Sequence, residues 1–312
     1  QSSGSIGLTL FYVTWLLGFV RWFVRQSTEI ENSIVSVERI LDYTNLKPEW
    51  NAKSNEKNIL KIDKLEHWPK AGTIEFNDVS LIYVKNSTLA LKNLSFKIQA
   101  GEKVGIVGRS GAGKSSILNV LERLYEFRGQ ILIDDVDIRL IDLYEIRKRI
   151  TVIPQESILF GGTLRKNLDP FDEFSDDQLW KALEQVKIKS TFKNATACSL
   201  DMHLSDSGLN LSVGQRQLIC LARAMLEKNK VVLIDEATSH IDPITDTIMQ
   251  NLIAEQFRES TILIIAHRLR TIMNCTKIMV IKDGQLVEMG EPTVLDHKID
   301  GHFYKLLKES AN

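Results

Sequence analysis

The sequence has few cysteines, almost no net charge and no methionine before Met202. Its three cysteines, Cys198, Cys220 and Cys275, are odd in number and lack metal-ligand spacing, which argues against a cysteine-based metal site and favours reduced thiols in a cytosolic compartment. A formal net charge of −1 excludes a bulk positive field that would attract nucleic acid. The sequence contains neither an internal repeat nor a low-complexity tract.

The late first methionine also bears on the extent of the chain. Because translation does not begin at Gln1, we expect the chain to be the C-terminal piece of a larger polypeptide. Its 312 residues suffice for one large or two modest domains with a substantial core.

An apolar segment lies at the start of the chain. Gln1–Val20 carries no charge, and Ile6–Val24 is mostly apolar and aromatic. A membrane-spanning helix needs about 20 such residues, so this segment is predicted to span, with a buried core helix as the alternative. Arg21 and Arg25 follow the apolar run, which argues against a secretory signal and places the next segment on the cytoplasmic side.

The rest of the chain divides into three parts. Thr28–Tyr43 has apolar residues at helical spacing, so residues 1–44 are predicted to end a membrane domain, and 45–72 are predicted to form a linker. Residues 73–312 alternate strand and helix patterns, which predicts a mainly parallel sheet covered by helices, with a helical insertion at about 156–228. The predicted strands are TIEFNDVSLIYV, LSFKIQ, EKVGIVG, ITVIPQ, VVLIDE, TILIIAH and KIMVIKDG.

The segment GRSGAGKS, Gly108–Ser115, fits the phosphate-loop pattern G-x-x-x-x-G-K-[ST] at every fixed position. Backbone N–H groups would surround the phosphates, Lys114 would contact the β- and γ-phosphates, and Ser115 would ligate Mg²⁺. A glycine-rich turn without a ligand is the alternative, but a predicted strand before it and helix after it favour phosphate binding. The candidate residues are Gly108, Arg109, Ser110, Gly111, Ala112, Gly113, Lys114, Ser115 and Ser116.

Two further motifs supply the groups that such a loop needs. VVLIDE predicts a buried strand that ends at Asp235, a candidate Mg²⁺ ligand, followed by Glu236, a carboxylate able to polarise water. A strand that ends in these two residues is usually structural when read alone. LSVGQRQ could bind a γ-phosphate at a helix N-terminus, or could be an ordinary helix cap at Ser212. Its candidate residues are Leu211, Ser212, Val213, Gly214 and Gln215.

Together, these motifs resemble the nucleotide-binding domain of an ABC transporter, from Thr73 to about Lys308. The resemblance implies an α/β P-loop NTPase fold with a mainly parallel core sheet, an antiparallel β subdomain and an inserted helical subdomain, preceded by one transmembrane helix. It implies ATP and Mg²⁺ as cofactors. In this family two such domains pack head to tail, and each signature loop caps the ATP held by its partner.

The resemblance also assigns roles to residues outside these motifs. Tyr83 matches the aromatic residue that stacks on adenine, with a strand-face tyrosine as the alternative. Gln155 matches a glutamine that senses Mg²⁺ or water and acts in catalysis, with an exposed loop glutamine as the alternative. Asp242 matches a residue of the D-loop, which contacts the partner domain. His267 matches the switch histidine beside the γ-phosphate, although alone it more often marks a satisfied core histidine.

GGTLRKNLDPFDEFSDDQLWKALEQV and LSVGQRQ are similar to the second nucleotide-binding domain of the multidrug resistance-associated (C) subfamily. This implies an ATPase that drives efflux of amphipathic organic anions or xenobiotics, with a first nucleotide-binding domain, further membrane helices, the lipid bilayer and a small-molecule cargo as partners. Nucleic acid is not expected. The implied location is a multi-pass membrane protein, by default of the plasma membrane, with this domain cytoplasmic.

One position departs from the family pattern, because Val213 replaces the first glycine of LSGGQ. A β-branched residue restricts the backbone and adds bulk there, so the site capped by this signature should bind ATP but turn over slowly. Two alternatives stay open: an ATP-gated regulator or channel of the same subfamily, and a soluble ABC-type ATPase acting on DNA. The latter is disfavoured because Gln155 and Leu211 lie too close for its long coiled coil.

Overall fold

The computed structural model describes residues 3–46, 49, 68–84, 88–188, 199–237, 241–266 and 272–311. Contacts divide the chain into two compact units, 1–56 and 57–312, and each is described by itself.

The first unit consists mainly of one helix, α1, Ser3–Thr44, which has no buried residue. The predicted membrane segment and the amphipathic stretch after it therefore form one continuous helix. Threonine hydroxyls return to the preceding turn, as where Thr9 Oγ1 donates to the Ser5 carbonyl at 2.8 Å, so polar side chains are satisfied within an apolar helix. A window of α1 has a mean hydropathy of 1.5, and the helix is long enough to cross a membrane.

The second unit contains the predicted mixture of strands and helices. Its strands are β1 Ile74–Leu81, β2 Leu91–Ile98, β3 Lys103–Val107, β4 Phe127–Ile133, β5 Val136–Asp137, β6 Ile150–Ile153, β7 Gly162–Thr163, β8 His203–Leu204, β9 Val231–Asp235, β10 Thr261–Ile265, β11 Lys277–Lys282 and β12 Gln285–Gly290. Its α-helices are α2 Lys114–Leu121, α3 Leu143–Arg149, α4 Leu164–Leu168, α5 Asp176–Gln185, α6 Val213–Glu227, α7 Pro243–Gln256, α8 Pro292–Asp296 and α9 His302–Ala311.

A six-stranded sheet with the order β12-β11-β3-β10-β9-β6 forms the centre of this unit. All its neighbours pair in parallel except β11 with β12. Because parallel strands end at one edge, the segments after β3, β6, β9 and β10 emerge side by side there. That edge carries the phosphate loop, Gln155 and Glu236.

Alternate side chains of the central strands enter two different cores. In β9, Val232 and Ile234 join a cluster that includes α5 and α6, whereas Val231 and Leu233 join a cluster with the four-stranded sheet. This period-two division buries both faces of the sheet and explains the continuous apolar runs in the sequence.

The antiparallel sheet has the order β2-β1-β4-β5 and confirms the expected antiparallel β subdomain. The mainly parallel core sheet is confirmed as well. The inserted region holds α4, α5 and α6 together with a short β7–β8 ladder.

Several features differ from the sequence patterns. Strands β4 and β12 and the two-residue strands β5, β7 and β8 had no predicted counterpart. Trp68 is buried and donates from Nε1 to the Ile133 carbonyl at 2.8 Å, so the end of the segment interpreted as a linker packs on the second unit.

Candidate functional site

The turn between β3 and α2 is built for glycine. Gly113 caps α2 with a φ of 101°, a left-handed conformation that other residues adopt at a cost. A Cβ atom there would also lie 2.7 Å from the Ala90 carbonyl oxygen. The chain can therefore turn sharply into α2, and the first amides of the helix face the loop.

Lys114, the first residue of α2, is held inside this loop. Only 8% of it is exposed, and its Nζ donates to the carbonyls of Gly108 at 2.9 Å and Arg109 at 3.2 Å. Burial lowers the pKa of Lys114, while the carboxylates of Glu236 and Asp235 oppose that shift. A desolvated ammonium group beside an open cavity is a strong attractor for an anion.

A cavity of about 360 Å³ lies over the loop. Its lining residues are Tyr83, Ala90, Ser110, Gly111, Gly113, Lys114, Ser115, Ser116 and Glu236. The cavity is therefore lined by the predicted cation of Lys114, the predicted hydroxyl of Ser115 and the predicted carboxylate of Glu236. Glu236 is far from the other two in the sequence.

Glu236 reaches this cavity through an unusual backbone conformation. It follows the last residue of β9 with a φ of 47°, and its N–H donates to the Ile265 carbonyl at 2.9 Å. A left-handed conformation at a residue other than glycine costs about 1–3 kcal/mol, and ten other described residues of the chain also have a positive φ.

Tyr83 lies two residues beyond the end of β1 and rests on α2. Its hydroxyl donates to Ser116 Oγ at 2.7 Å and accepts from Asn119 Nδ2 at 3.1 Å. The Tyr125 ring meets it edge to face, with 4.7 Å between the ring centroids. The tyrosine is therefore fixed from two sides at the edge of the cavity while remaining 41% exposed.

Of the predicted Mg²⁺ ligands, Ser115 lines the cavity, whereas Asp235 and Gln155 do not. Asp235 ends β9 and acts electrostatically on both Lys114 and Glu122. Gln155 is exposed and is not among the residues that line the cavity. Its carbonyl accepts from Gln217 Nε2 at 2.8 Å, a contact that the sequence did not indicate.

The signature residues form a separate surface at the start of α6. The Ser212 hydroxyl accepts from the Gln215 N–H at 3.2 Å, and the Gln215 side chain accepts from the Ser212 N–H at 2.9 Å. This reciprocal cap is the ordinary helix cap that the sequence offers as the alternative for LSVGQ. The Ser212 hydroxyl can still donate its proton to another acceptor. A Cβ atom at Gly214 would lie 3.2 Å from Thr245 on α7, so a small residue permits the two helices to start side by side.

Asp242 and His267 are the remaining predicted site residues. Asp242 caps α7 by accepting from the Thr245 N–H at 2.9 Å. His267 lies outside the residues that the structure describes.

Some site residues were not singled out from the sequence. Asn119 could have been found, because it follows Ser116 at a helical spacing of three. Glu309, whose Oε1 accepts from the Arg109 guanidinium at 2.6 Å, is 200 positions away from its partner and gives no local signal.

Comparison with known proteins decides the family. The sequence model described as ABC transporter matches residues 91–239. ATP-binding cassette sub-family C member 4 of Mus musculus is 46% identical over 310 residues, which are 99% of this chain. The chain contains an ABC transporter domain. Another relative is the "Probable multidrug resistance-associated protein lethal(2)03659" of Drosophila melanogaster, 45% identical over 99% of the chain.

These relatives confirm the predicted resemblance of this ABC transporter domain to the multidrug resistance-associated (C) subfamily. The chain spans 23% of the length of the mouse relative and 22% of the Drosophila one. Among solved structures, a bacterial Atm1-family ABC exporter with ATP bound is 31% identical, with a TM-score of 0.73 over 78% of this chain and 42% of that one. The predicted ABC-type P-loop fold is thereby confirmed.

Proposed function

We propose that this chain binds ATP at its phosphate loop and hydrolyses it in a site completed by a partner domain, as the energy-coupling part of an exporter. The observation that carries this proposal is the shared cavity of Lys114 and Glu236. A buried cation for phosphate and a carboxylate for water are the two groups that ATP hydrolysis requires of the protein.

The described residues fit ATP and Mg²⁺. The left-handed turn at Gly113 admits only a residue without a Cβ atom, and Ser115 belongs to the cavity lining. Ser115, Asp235 and Gln155 would hold Mg²⁺, the last after its exposed side chain turns inward. The metal, when bound, would neutralise charge on the phosphate oxygens.

Each side chain then has a distinct task. Tyr83 stacks on the adenine, and Lys114 moves its hydrogen bonds from the loop carbonyls to the β- and γ-phosphates. Glu236 orients a water molecule for in-line attack or accepts its proton, and His267 stabilises the developing negative charge. The fixed ring of Tyr83 and the strained backbone of Glu236 support these two assignments.

The separation of the signature from the cavity supports a head-to-tail partner. Since Ser212 and Gly214 do not line the cavity of their own chain, their γ-phosphate contact would be to ATP held by another nucleotide-binding domain. The phosphate loop, Asp235 and Glu236 of this chain would form the hydrolysing site with the partner's signature. The site capped by Val213 would turn over slowly.

Helix α1 would cross the membrane, with Arg21 and Arg25 on the cytoplasmic side and further helices lining the transport pathway. The cargo would be an amphipathic organic anion or xenobiotic, and the membrane would be the plasma membrane. ATP binding would close the two domains, and their closure would turn the membrane helices outward. Hydrolysis would reset them.

The test uses the full-length transporter in inside-out vesicles, with a panel of anionic conjugates. We expect ATP-dependent accumulation that is abolished by Glu236→Gln. Absence of ATP-dependent accumulation for the whole panel, combined with an ATP-dependent ion conductance, would contradict export and establish the channel alternative.

A further inference from the structure

Helix α6 carries a polar seam along the segment that contains Gln155. Gln217, Cys220 and Arg223 follow each other at spacings of three, so they lie on one face of the helix. That face runs beside residues 154–158, which follow the end of β6.

Gln217 makes the most buried of these contacts. It is 2% exposed, and its Nε2 donates to the Gln155 carbonyl at 2.8 Å and more weakly to the Pro154 carbonyl at 3.4 Å. The carbonyls of Pro154 and Gln155 lie beyond the end of β6, so they need hydrogen-bond donors from outside the sheet. The side-chain amide of Gln217 donates to both. Within the described part of the chain, Gln217 Oε1 is buried without a hydrogen-bond partner.

The neighbouring members of the seam continue along the same segment. The thiol of Cys220 lies beside Ser157 and the Ile158 backbone, and burial raises its pKa, so it acts as a neutral packing group. Arg223 donates from Nε to the Asn167 carbonyl at 2.8 Å and reaches the Ile158 carbonyl at 3.5 Å. The seam therefore follows the backbone of residues 154–158. Within it, Gln217 contacts Gln155, the residue whose side chain is predicted to sense Mg²⁺.

We propose that Gln217 is a positioning residue, whose amide fixes the Gln155 backbone so that the Gln155 side chain can turn to Mg²⁺ in the nucleotide site. This inference rests on the proposed function. Groups that orient a metal ligand typically contribute 10–100-fold to metal affinity or activity. The base and phosphate contacts of ATP do not depend on the seam, so metal binding and turnover should fall while metal-free ATP affinity persists.

The test compares Gln217→Glu with Gln256→Glu in the full-length transporter. The first replaces the buried donor by a carboxylate of the same shape, and the second makes the same chemical change at an exposed position of α7. Four quantities are measured: Mn²⁺ affinity by electron paramagnetic resonance with a non-hydrolysable ATP analogue, ATP affinity in EDTA, and kcat and KM for ATP.

We expect Gln217→Glu to lower Mn²⁺ affinity and kcat about 10-fold or more, with ATP affinity in EDTA within about twofold of wild type. Gln256→Glu should match wild type. Gln217→Met, which removes the donor without adding charge, should reproduce the loss of Mn²⁺ affinity. It decides the outcome if the glutamate variant does not fold.

Mn²⁺ affinity and kcat unchanged in either folded variant would overturn the positioning role. An equal loss of ATP affinity in EDTA would also overturn it, because the site would then have loosened as a whole. Failure of the proposed function has a different signature, since wild type itself would then bind no Mn²⁺–nucleotide and release no phosphate.

Discussion

The N-termini of α2 and α6 both follow small residues and were both assigned to phosphate, yet the structure builds them differently. Helix α2 starts after Gly113, and within the described residues no side chain caps it. Helix α6 starts after Ser212, whose hydroxyl and the Gln215 side chain form a reciprocal cap. The open amides of α2 are available to a ligand, whereas those of α6 are already partly satisfied.

The N-termini of α2 and α6 also differ in how deeply they are buried. Lys114 at the start of α2 is 8% exposed inside a cavity, but Val213 at the start of α6 is 41% exposed on a surface. The N-terminus of α2 can hold a phosphate within a single chain, whereas the N-terminus of α6 can only cover a phosphate that is bound to another domain. The comparison predicts that mutations at the start of α2 affect binding and chemistry, and that those at the start of α6 affect closure.

The largest effect is expected from Glu236→Gln. Removal of the carboxylate should lower ATP turnover by about 10²–10⁴-fold, as loss of a general base does, while ATP binding persists and a closed dimer accumulates. Phosphate release and binding of labelled ATP measure the two quantities in the full transporter. Substantial residual hydrolysis would remove Glu236 from this role.

Lys114→Ala should weaken ATP binding itself by about 10–100-fold, because charge-assisted hydrogen bonds contribute about 1.5–3 kcal/mol. Calorimetric titration with ATP measures this. Lys103→Ala is the matched control, since Lys103 also donates to a carbonyl, that of Ala254 at 3.2 Å, and burial also lowers its pKa. Equal ATP affinity in the two variants would count against the phosphate cradle.

Ser212→Ala should cost about 1 kcal/mol of the free energy of unfolding through loss of the cap, and should also slow turnover at the partner's site. Ser175→Ala is matched to it, because Ser175 caps α5 with the same reciprocal arrangement. Urea unfolding and ATPase assays on both variants separate the two roles. If the two variants slow turnover equally, the signature serine acts only through stability.

Val213→Gly should give the smallest effect, a modest increase in turnover at the slow site. The glycine restores the family pattern but loosens the first turn of α6, which offsets part of the gain. Single-turnover measurements in a transporter that also carries Glu236→Gln isolate that site. Unchanged turnover would show that Val213 does not cause the predicted inequality.

Local patterns predicted those parts of the site that are contiguous in sequence. The apolar run before Asp235 is β9, and the phosphate loop lies between β3 and α2 as its pattern requires. Strand β4 was missed because Arg128 and Gly129, near its start, are exposed, and only Ile131 and Ile133 are buried. Edge strand β12 has no strongly buried face and therefore gave no apolar signal.

Contacts between distant segments could not be predicted. The hydroxyl of Tyr83 reaches Ser116, and the amide of Gln217 reaches Gln155, only because the sheet brings their elements together. The family resemblance named Gln155 with an exposed loop glutamine as the alternative, and its side chain is exposed and does not line the cavity. His267 stays a prediction, as do the catalytic roles of the other site residues.

The ion pair between Arg109 and Glu309 has a practical consequence for handling the protein. At 77% and 55% side-chain exposure it adds little to folding stability, yet it fastens α9 to the phosphate loop. A purification tag fused behind α9, or proteolytic trimming of that helix, would change the charge beside Arg109 of the phosphate loop. Preparations that differ only at the carboxyl end should therefore not be treated as interchangeable when ATP affinities are compared.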